Sequence, residues 1–407
     1  MLYRSLLSEA LTDRREEFVR FDREWRDDVR DYARGLRLLD GQTSQEIRRA
    51  VGETSAPGAL PSTELERGGS LVVPFGERWR THEEARRWAV RALGHRVTFA
   101  ADGSQLLPGR EVSMPVAAVQ VAWFENPHTP EGGYLKQARF RIVSPAELLE
   151  SSDDRINAET VVAFRRFELE TEALCEFMER QRGWRGRRVR PPVAFFDGSL
   201  TYLISFALPK TKIQDDYADA IIRLLELSRE VEVPVVGFID RSYARDLVRL
   251  VDALNESEGS GNSRYPYDAQ LLRAEVEGEP PMLNQWGDRT IFFYYKRKGM
   301  SERLIDERGE PLIGFIYLQT AGDDTPARLD VPSWVYEVGL LDDVIDTVRA
   351  ECVCGLGYPY AIETADEAAV ITARDREQFL RAIQDFARKE SFAFHVSRKA
   401  TSKVRRR

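Results

Sequence analysis

Two aspartates follow short apolar segments and begin the same three-residue motif, Asp-Gly-Ser. Asp102 comes after the apolar residues 97–101, and Asp197 comes after residues 193–196. Such segments, ended by glycine, predict buried strands, so we expect both carboxylates at the carboxyl ends of core strands, where α/β sheets usually build their sites. Carboxylates that lie close together favour a hard divalent cation such as Mg²⁺ or Mn²⁺. Alternatively, each Asp-Gly pair is only a turn that leaves a strand.

A third acidic residue, Glu170, lies on the apolar face of a helix predicted over residues 163–179. On a wheel at about 100° per residue, the apolar stripe around Glu170 consists of Ala163, Phe167, Leu174, Phe177 and Met178. The opposite, solvated side carries Glu168, Glu172, Glu176 and Glu179. A carboxylate on a core face is costly unless it is paired or binds a cation. The alternatives are a salt bridge to a buried arginine or a rotated helix that exposes Glu170. Together with the two aspartates, Glu170 predicts a site for two metal ions.

Composition limits the class of protein. The chain has 407 residues, a net charge of −8 and 43% hydrophobic residues, and it contains no apolar run near the roughly 20 residues of a membrane span. The first residues lead into a charged helix rather than a signal peptide. The three cysteines show neither a disulfide framework nor a zinc spacing, which indicates reduced thiols. We therefore predict a cytoplasmic protein without a membrane segment.

Two basic clusters interrupt this acidic chain and are candidates for contacts with phosphates. The first consists of Arg180, Arg182, Arg185, Arg187, Arg188 and Arg190. The second consists of Lys399, Lys403, Arg405, Arg406 and Arg407. The alternative is a solvated loop and a disordered tail.

The remaining pattern predicts how these residues are positioned. Residues 2–39 form one long predicted helix with a heptad seam from Phe18 to Leu39, which packs on another helix of the chain or on a second copy. Residues 40–80 are predicted to be a loop or linker. Alternating strands and helices follow and favour an α/β fold, a mixed sheet flanked by helices. We therefore divide the chain into residues 1–80, an N-terminal helical arm and linker with a possible role in dimerisation, and residues 81–407, a catalytic domain.

The two Asp-Gly-Ser motifs belong to a longer series of short motifs along the chain. The later members are residues 235–242, residues 315–318, residues 328–334, the Gly-Tyr-Pro motif at residues 357–359 and residues 364–368. In this order and spacing, the chain resembles the NurA family of DNA-repair nucleases from about residue 97 to residue 394.

The resemblance implies an RNase H-like core and a Mn²⁺-dependent nuclease that acts on DNA ends and single strands. It also implies a homodimer docked on a HerA-type hexameric ATPase. Asp102, Glu170 and Asp197 match the metal-binding carboxylates, although the helical wheel, not the resemblance, selects Glu170. Tyr358 matches the tyrosine of the Gly-Tyr-Pro motif, or is simply a packed aromatic residue. Asp366 stands where the family commonly has histidine, and is either a fourth oxygen ligand or an acid in the first turn of a helix.

The resulting prediction is a DNA nuclease that uses two Mn²⁺ or Mg²⁺ ions, an end-processing exonuclease with single-strand endonuclease activity. It would act with a HerA-type ATPase in DNA end resection and repair, or in defence. Two alternatives remain open. One is a non-catalytic RNase H-like scaffold subunit of a HerA-type translocase complex. The other is a hydrolase that uses paired carboxylates without a metal.

Overall fold

The computed structural model describes residues 3–52, 56–109, 112–149, 157–187, 189–201, 212–255, 266–297, 303–322 and 325–395. In these ranges, helices α1 to α14 span Arg4–Asp13, Arg15–Arg37, Ser44–Val51, Glu64–Gly68, His82–Leu93, Pro145–Leu149, Ala158–Arg180, Lys212–Val231, Asp246–Asn255, Asp268–Leu272, Ser333–Glu337, Leu341–Cys354, Tyr360–Ala369 and Ala373–Lys389. Strands β1 to β11 span Gly58–Pro61, Val72–Val73, Thr98–Leu106, Ala117–Asn126, Leu135–Val143, Val193–Asp197, Val235–Ile239, Arg289–Thr290, Phe293–Lys296, Ile313–Leu318 and Ala327–Pro332.

The chain divides into two compact units. The first comprises Met1–Arg78 with Ile239–Ser333, and the second comprises Trp79–Phe238 with Trp334–Arg407. All five candidate site residues belong to the second unit. This division differs from the one drawn from the sequence, because residues 239–333 group with the N-terminal segment.

The second unit is built on a mixed sheet with the strand order β7-β6-β3-β4-β5. Strands β3, β4 and β5 form an antiparallel meander, whereas β6 and β7 run parallel to β3. A parallel partner requires a crossover, and helices α7 and α8 supply the two crossovers. This strand order, with a meander on one side of β3 and parallel strands on the other, is that of an RNase H-like core. The predicted fold class is therefore confirmed.

Helices cover both faces of this sheet. Helix α7 packs on β3, β4 and β6 and against α8, whereas α13 packs on β3 and β4. The α13 face is identified by Gln120 of β4, whose side chain donates to the Ala369 carbonyl at the end of α13. Because side chains alternate between faces along a strand, the neighbouring residue Val121 faces α7. These two faces determine which candidate residues can meet.

Strand β5 is the last strand of this path, and the described residues place no further strand beside it. Most of its side chains are exposed, including Phe140 and Ile142. Arg139 pairs with Glu176 of α7 at 2.9 Å, and the Lys136 ammonium lies 5.8 Å from the centre of the Phe124 ring. The edge of the sheet is thus lined with basic side chains.

Local sequence signals account for the helices that precede the site strands. Thr81 accepts a hydrogen bond from the Glu84 amide and caps α5, which ends before Gly94 as predicted. Asn157 accepts from the Thr160 amide at 2.8 Å and caps α7. Such caps stabilise a helix by about 1 kcal/mol. Helix α7 is therefore anchored at its N-terminus before it crosses the sheet.

In the first unit, the antiparallel strand β9 lies between β1 and β10, and β10 pairs with β11. The interior of this unit contains Asp246, which is fully buried and pairs with Arg297 and Arg328, each at 2.6 Å. Burial alone would raise the pKa of Asp246, but the two guanidinium groups hold it below its usual value. These ion pairs connect separate segments of the chain within the first unit.

Two predictions about the N-terminal segment are wrong in detail. The predicted single helix over residues 2–39 is interrupted at Arg14, whose ψ of 6° ends α1. Only the C-terminal part of its heptad seam is buried, at Val29, Leu36 and Leu39. The predicted linker 40–80 contains α3, β1, α4 and β2, because β1 is completed by pairing with the distant strand β9, which local composition does not reveal.

Among the described residues, none of the helices is long and apolar enough to cross a membrane.

Candidate functional site

Asp102 and Asp197 lie side by side on adjacent parallel strands. The register pairs Thr98 with Val193 and continues to Ala101 with Phe196. The next position along both strands is Asp102 beside Asp197, so the two side chains project from the same face of the sheet. Each carboxylate therefore lies within the electrostatic influence of the other, as the sequence predicted.

The expected strand end is correct for Asp197 and wrong for Asp102. Strand β6 ends at Asp197, and Gly198 turns the chain away with a φ of 124°. Strand β3 instead continues to Leu106, because its antiparallel pairing with β4 extends past the last parallel pair. Asp102 pairs with Ala122, so it faces α13. The first Asp-Gly motif is therefore part of a strand, and only the second is also a turn.

Gly103 allows Glu170 to approach β3 from the opposite face. Gly103 pairs with Val121 and therefore faces α7. A Cβ atom placed on Gly103 would lie 2.3 Å from Glu170 Oε1 and 2.6 Å from Arg166 Cγ. Only glycine fits beneath these two side chains. The strand glycine thus brings the helix carboxylate close to Asp102, although the two side chains start from different faces.

Glu170 is buried, as the wheel predicted, with a side chain that is 8% exposed. Burial raises the pKa of Glu170 to about 8; Arg166 opposes this rise, while Asp102 and Asp197 add to it. The Arg166 Nε atom lies 3.4 Å from Glu170 Oε1. The predicted alternative of an arginine salt bridge is thus present, but Arg166 lies one turn away on the same helix and is 40% exposed.

Tyr358 binds directly to one of the strand aspartates. Its hydroxyl donates to Asp197 Oδ1 at 2.8 Å, and its ring packs edge-on against Phe238 of β7 at 5.1 Å. A tight turn between α12 and α13 places it there, because a Cβ on Gly355 would lie 2.1 Å from the Tyr358 carbonyl oxygen. Tyr358 is therefore packed, as the alternative interpretation predicted, and its hydroxyl is also bound to Asp197; its role in the reaction stays a prediction.

Asp366 projects from α13 towards Asp102. The Asp366 carboxyl lies near enough to Asp102 to influence the pKa of that residue. Burial raises the pKa of Asp102 to about 6, and repulsion from Asp197 and Asp366 contributes. Asp366 is the seventh residue of α13, so the proposed role as a first-turn helix cap is wrong.

The donor atoms of this cluster suit a hard cation. Within the described ranges, no three acidic, histidine or cysteine side chains are spaced to hold a metal ion as they stand. Glu170 Oε1 is nevertheless buried without a hydrogen-bond partner, and Asp102 is repelled by Asp197 and Asp366, a repulsion that a bound cation would relieve. The residues fit a metal by their oxygen chemistry, and the side chains must reorient to bind it.

A family model described as the NurA domain matches residues 96–371, more than half of the chain. The chain belongs to the NurA family. The matched region contains all five candidate site residues. Because NurA is a nuclease family, the protein is a DNA nuclease by membership. This confirms the family and the enzyme class predicted from the sequence.

Similarity to solved structures is weaker. A NurA crystal structure has 10% identity and a TM-score of 0.37, and the match covers 75% of this chain and 94% of that chain. NurA bound to dAMP and manganese has 11% identity and a TM-score of 0.36, covering 71% and 88%. The catalytic domain of human endonuclease V has 15% identity and a TM-score of 0.32, covering 79% and 95%. The comparison with curated proteins gave no match. The assignment therefore rests on the family model.

Sequence reasoning missed a second buried glutamate in this NurA protein. Glu351 of α12 is 1% exposed, and its Oε2 accepts from the Ala361 amide at the start of α13. Its Oε1 lies 3.6 Å from His128 Nε2, and burial raises the pKa of Glu351 to about 7. Glu351 thus anchors the helix that carries Asp366. The wheel test that selected Glu170 also places Glu351 beside Leu341, Val344 and Val348, so the signal was available.

The arginines before β6 are engaged within the protein. Arg180 pairs with Glu125 at 2.7 Å, Arg182 with Glu179 at 2.7 Å and Arg185 with Glu232 at 2.5 Å. Arg187 and Arg190 donate to the carbonyls of Gln181 and Ala92. These contacts favour a structural role for the first basic cluster. Arg188 and the second cluster, from Lys399 to Arg407, lie outside the described residues.

Gly103→Ala is expected to lower the free energy of unfolding by about 1–3 kcal/mol, a typical cost of overpacking, and to abolish most DNA cleavage. The new methyl group would displace the Glu170 carboxylate from β3. Thermal unfolding and cleavage of labelled DNA check both effects. Gly186→Ala is the matched control, because a Cβ on Gly186 meets nothing within 4 Å. A Gly103→Ala protein with normal stability and activity would contradict the packing of Glu170 over this glycine.

Proposed function

We propose that this NurA protein hydrolyses phosphodiester bonds of DNA with divalent metal ions bound by Asp102, Glu170 and Asp197. The observation that carries the proposal is the buried Glu170 carboxylate, whose Oε1 lacks a hydrogen bond and whose pKa is raised in part by both aspartates. A buried carboxyl group ionises at a high cost unless a cation lies nearby, and a bound metal ion would meet this need. Within a NurA domain, the reaction that three such carboxylates best support is hydrolysis of a phosphodiester.

Each protein group has a separate task in this proposal. Two bound ions supply activation of water and stabilisation of the leaving oxygen. Asp102 would hold both ions, because it lies near both Asp197 and Asp366. Glu170 and Asp197 each complete one ion's shell. The Tyr358 hydroxyl orients Asp197 by donating its one proton to it, and would donate to a phosphate oxygen only in place of that bond.

Asp366 has two possible tasks, and its contact with Asp102 supports both. As a carboxylate, Asp366 adds a fourth hard oxygen ligand, which favours Mg²⁺ as well as Mn²⁺. Alternatively, it would serve as the general base or proton shuttle in place of the histidine that the family commonly has at this position. Its carboxyl lies near enough to Asp102 to raise the pKa of that residue, which supports either task.

We propose DNA ends and single strands as substrates, cut by exonuclease action with additional single-strand endonuclease activity. Mn²⁺ or Mg²⁺ is the proposed cofactor, which is in keeping with a NurA structure bound to dAMP and manganese. Contacts should be mainly to phosphates, so binding should tolerate different sequences and weaken with salt.

The proposed partners are a HerA-type hexameric ATPase and a second copy of this chain, in the cytoplasm. Support for a partner surface comes from exposed apolar side chains on the first two helices, namely Leu6, Leu7, Leu11, Phe18 and Val19. Single exposed apolar residues are common, but a series along α1 and α2 is typical of an interaction surface. The proposed setting is DNA end resection and repair, or defence.

Cleavage of labelled single-stranded and duplex DNA by the full-length protein tests the proposed function. We expect cleavage with Mn²⁺ or Mg²⁺, alone or with an added HerA-type ATPase, and none with EDTA. Cleavage that resists EDTA would instead indicate a metal-independent hydrolase. Failure to cleave under every condition, including an excess of the ATPase, would support the scaffold alternative.

A further inference from the structure

The side chain of Arg166 occupies the space between the site glutamate and the backbone of β3. Its Nε atom lies 3.4 Å from Glu170 Oε1, and its Nη1 donates a long hydrogen bond of 3.4 Å to the Gly103 carbonyl oxygen. Its Cγ and Cδ lie over Gly103, at 2.6 and 3.1 Å from the position a Cβ would take. One guanidinium thus lies near the proposed ligand Glu170 and near the carbonyl oxygen of the residue that follows the proposed ligand Asp102.

Arg166 differs from its neighbour Arg165 in its choice of partners. Arg165 pairs with Glu168 at 3.0 Å and with Glu147 at 3.6 Å, on the outer side of α7. Among the ion pairs of the described residues, Arg166 pairs with Glu170 alone. Its Nε atom is buried without a hydrogen bond. The contact is therefore a charge pairing of loose geometry rather than a tight bidentate bridge.

A loose pair of this kind can be exchanged. The Arg166 side chain is 40% exposed, so its charged end can move into solvent while its stem stays over Gly103. Glu170 cannot move out in the same way, because it is 8% exposed. A divalent cation carries twice the charge of a guanidinium and makes shorter contacts with carboxylate oxygen. It should therefore displace Arg166 from the Glu170 carboxylate.

We propose that Arg166 is the internal counter-cation of the carboxylate site, bound to Glu170 and the Gly103 carbonyl without metal and displaced when a divalent ion binds. This inference rests on the metal site of the proposed function. Its consequence is that the protein binds metal less tightly than its carboxylates allow, because each binding event must first break the Arg166 contacts.

Binding of Mn²⁺ to the metal-free, full-length protein tests this inference, with free Mn²⁺ measured by electron paramagnetic resonance. We expect Arg166→Gln to bind Mn²⁺ more tightly, on the order of tenfold, because a competing unit charge is removed. Arg166→Lys keeps the charge and should stay near the wild type. Arg165→Gln is the matched control on the same helix and should leave the Mn²⁺ affinity unchanged.

Arg166→Met provides a second variant that preserves the apolar stem over Gly103, should the glutamine variant fold poorly. The Mn²⁺-induced rise in melting temperature should be larger for Arg166→Met than for the wild type. Equal or weaker Mn²⁺ binding in both variants, beside normal binding by the wild type, would overturn the role of Arg166 alone. Wild-type binding that is absent, or that persists in Asp102→Asn, would reject the proposed metal site and this inference with it.

Discussion

Asp102→Asn is expected to reduce DNA cleavage by at least about a thousandfold, a loss of about 4 kcal/mol of transition-state stabilisation. The amide has nearly the shape of the carboxyl group, so β3 should keep its pairing with β4 and β6. It removes the negative charge that lies beside both Asp197 and Asp366. The expected loss therefore comes from weaker metal binding and not from unfolding.

Initial rates on labelled DNA, at several Mn²⁺ concentrations, measure this effect. Asp385→Asn is a suitable control, because Asp385 is 70% exposed on α14 and pairs only with the exposed Arg388 among the described ion pairs. Cleavage near the wild-type rate by Asp102→Asn would place the active site elsewhere in the chain.

Glu170→Gln is expected to abolish cleavage and, in the absence of metal, to make the protein more stable at alkaline pH. The pKa of Glu170 is raised to about 8 in the folded protein, above the roughly 4.3 of an unfolded chain. The folded state therefore binds the proton more tightly, so stability falls as pH rises from about 4.5 to about 8. Glutamine cannot ionise and avoids this loss, which is at most about 5 kcal/mol at about 1.4 kcal/mol per pKa unit.

Thermal or urea unfolding between pH 5 and pH 9, with EDTA present, measures the difference. The Glu170→Gln curve should meet the wild type near pH 5 and lie above it at pH 9. Glu172→Gln serves as the control on the same helix, because its side chain is 44% exposed. Parallel curves for Glu170→Gln and wild type would mean that Arg166 fully compensates the buried charge.

The helix part of the site was predictable because its signal is local. Periodicity alone identified the buried face of α7 and selected Glu170, which the structure places in the core. The same test would have found Glu351, since both glutamates interrupt apolar stripes. Arg166 could not be found in this way, because its contact with Gly103 depends on how α7 lies over β3.

The positions of the site residues on strands β3 and β6 were less predictable, because strands pair with partners that are distant in the sequence. Asp-Gly-Ser occurs twice with similar flanking residues, yet β3 continues through its motif and β6 ends at its own. The difference comes from β4, which pairs with residues 98–106. The short elements between residues 40 and 80 were missed for the same reason. Their apolar residues are few, and partners more than 200 residues away complete their burial.

The edge strand β5 has a consequence for the solubility of the whole protein. An exposed edge offers free backbone groups to any other strand, and edges of this kind promote aggregation. An antiparallel pairing of two copies of β5 that sets Lys136 opposite Arg141 would bring like charges together, which is unfavourable. The basic side chains on β5 thus disfavour edge-to-edge pairing between two copies of the sheet.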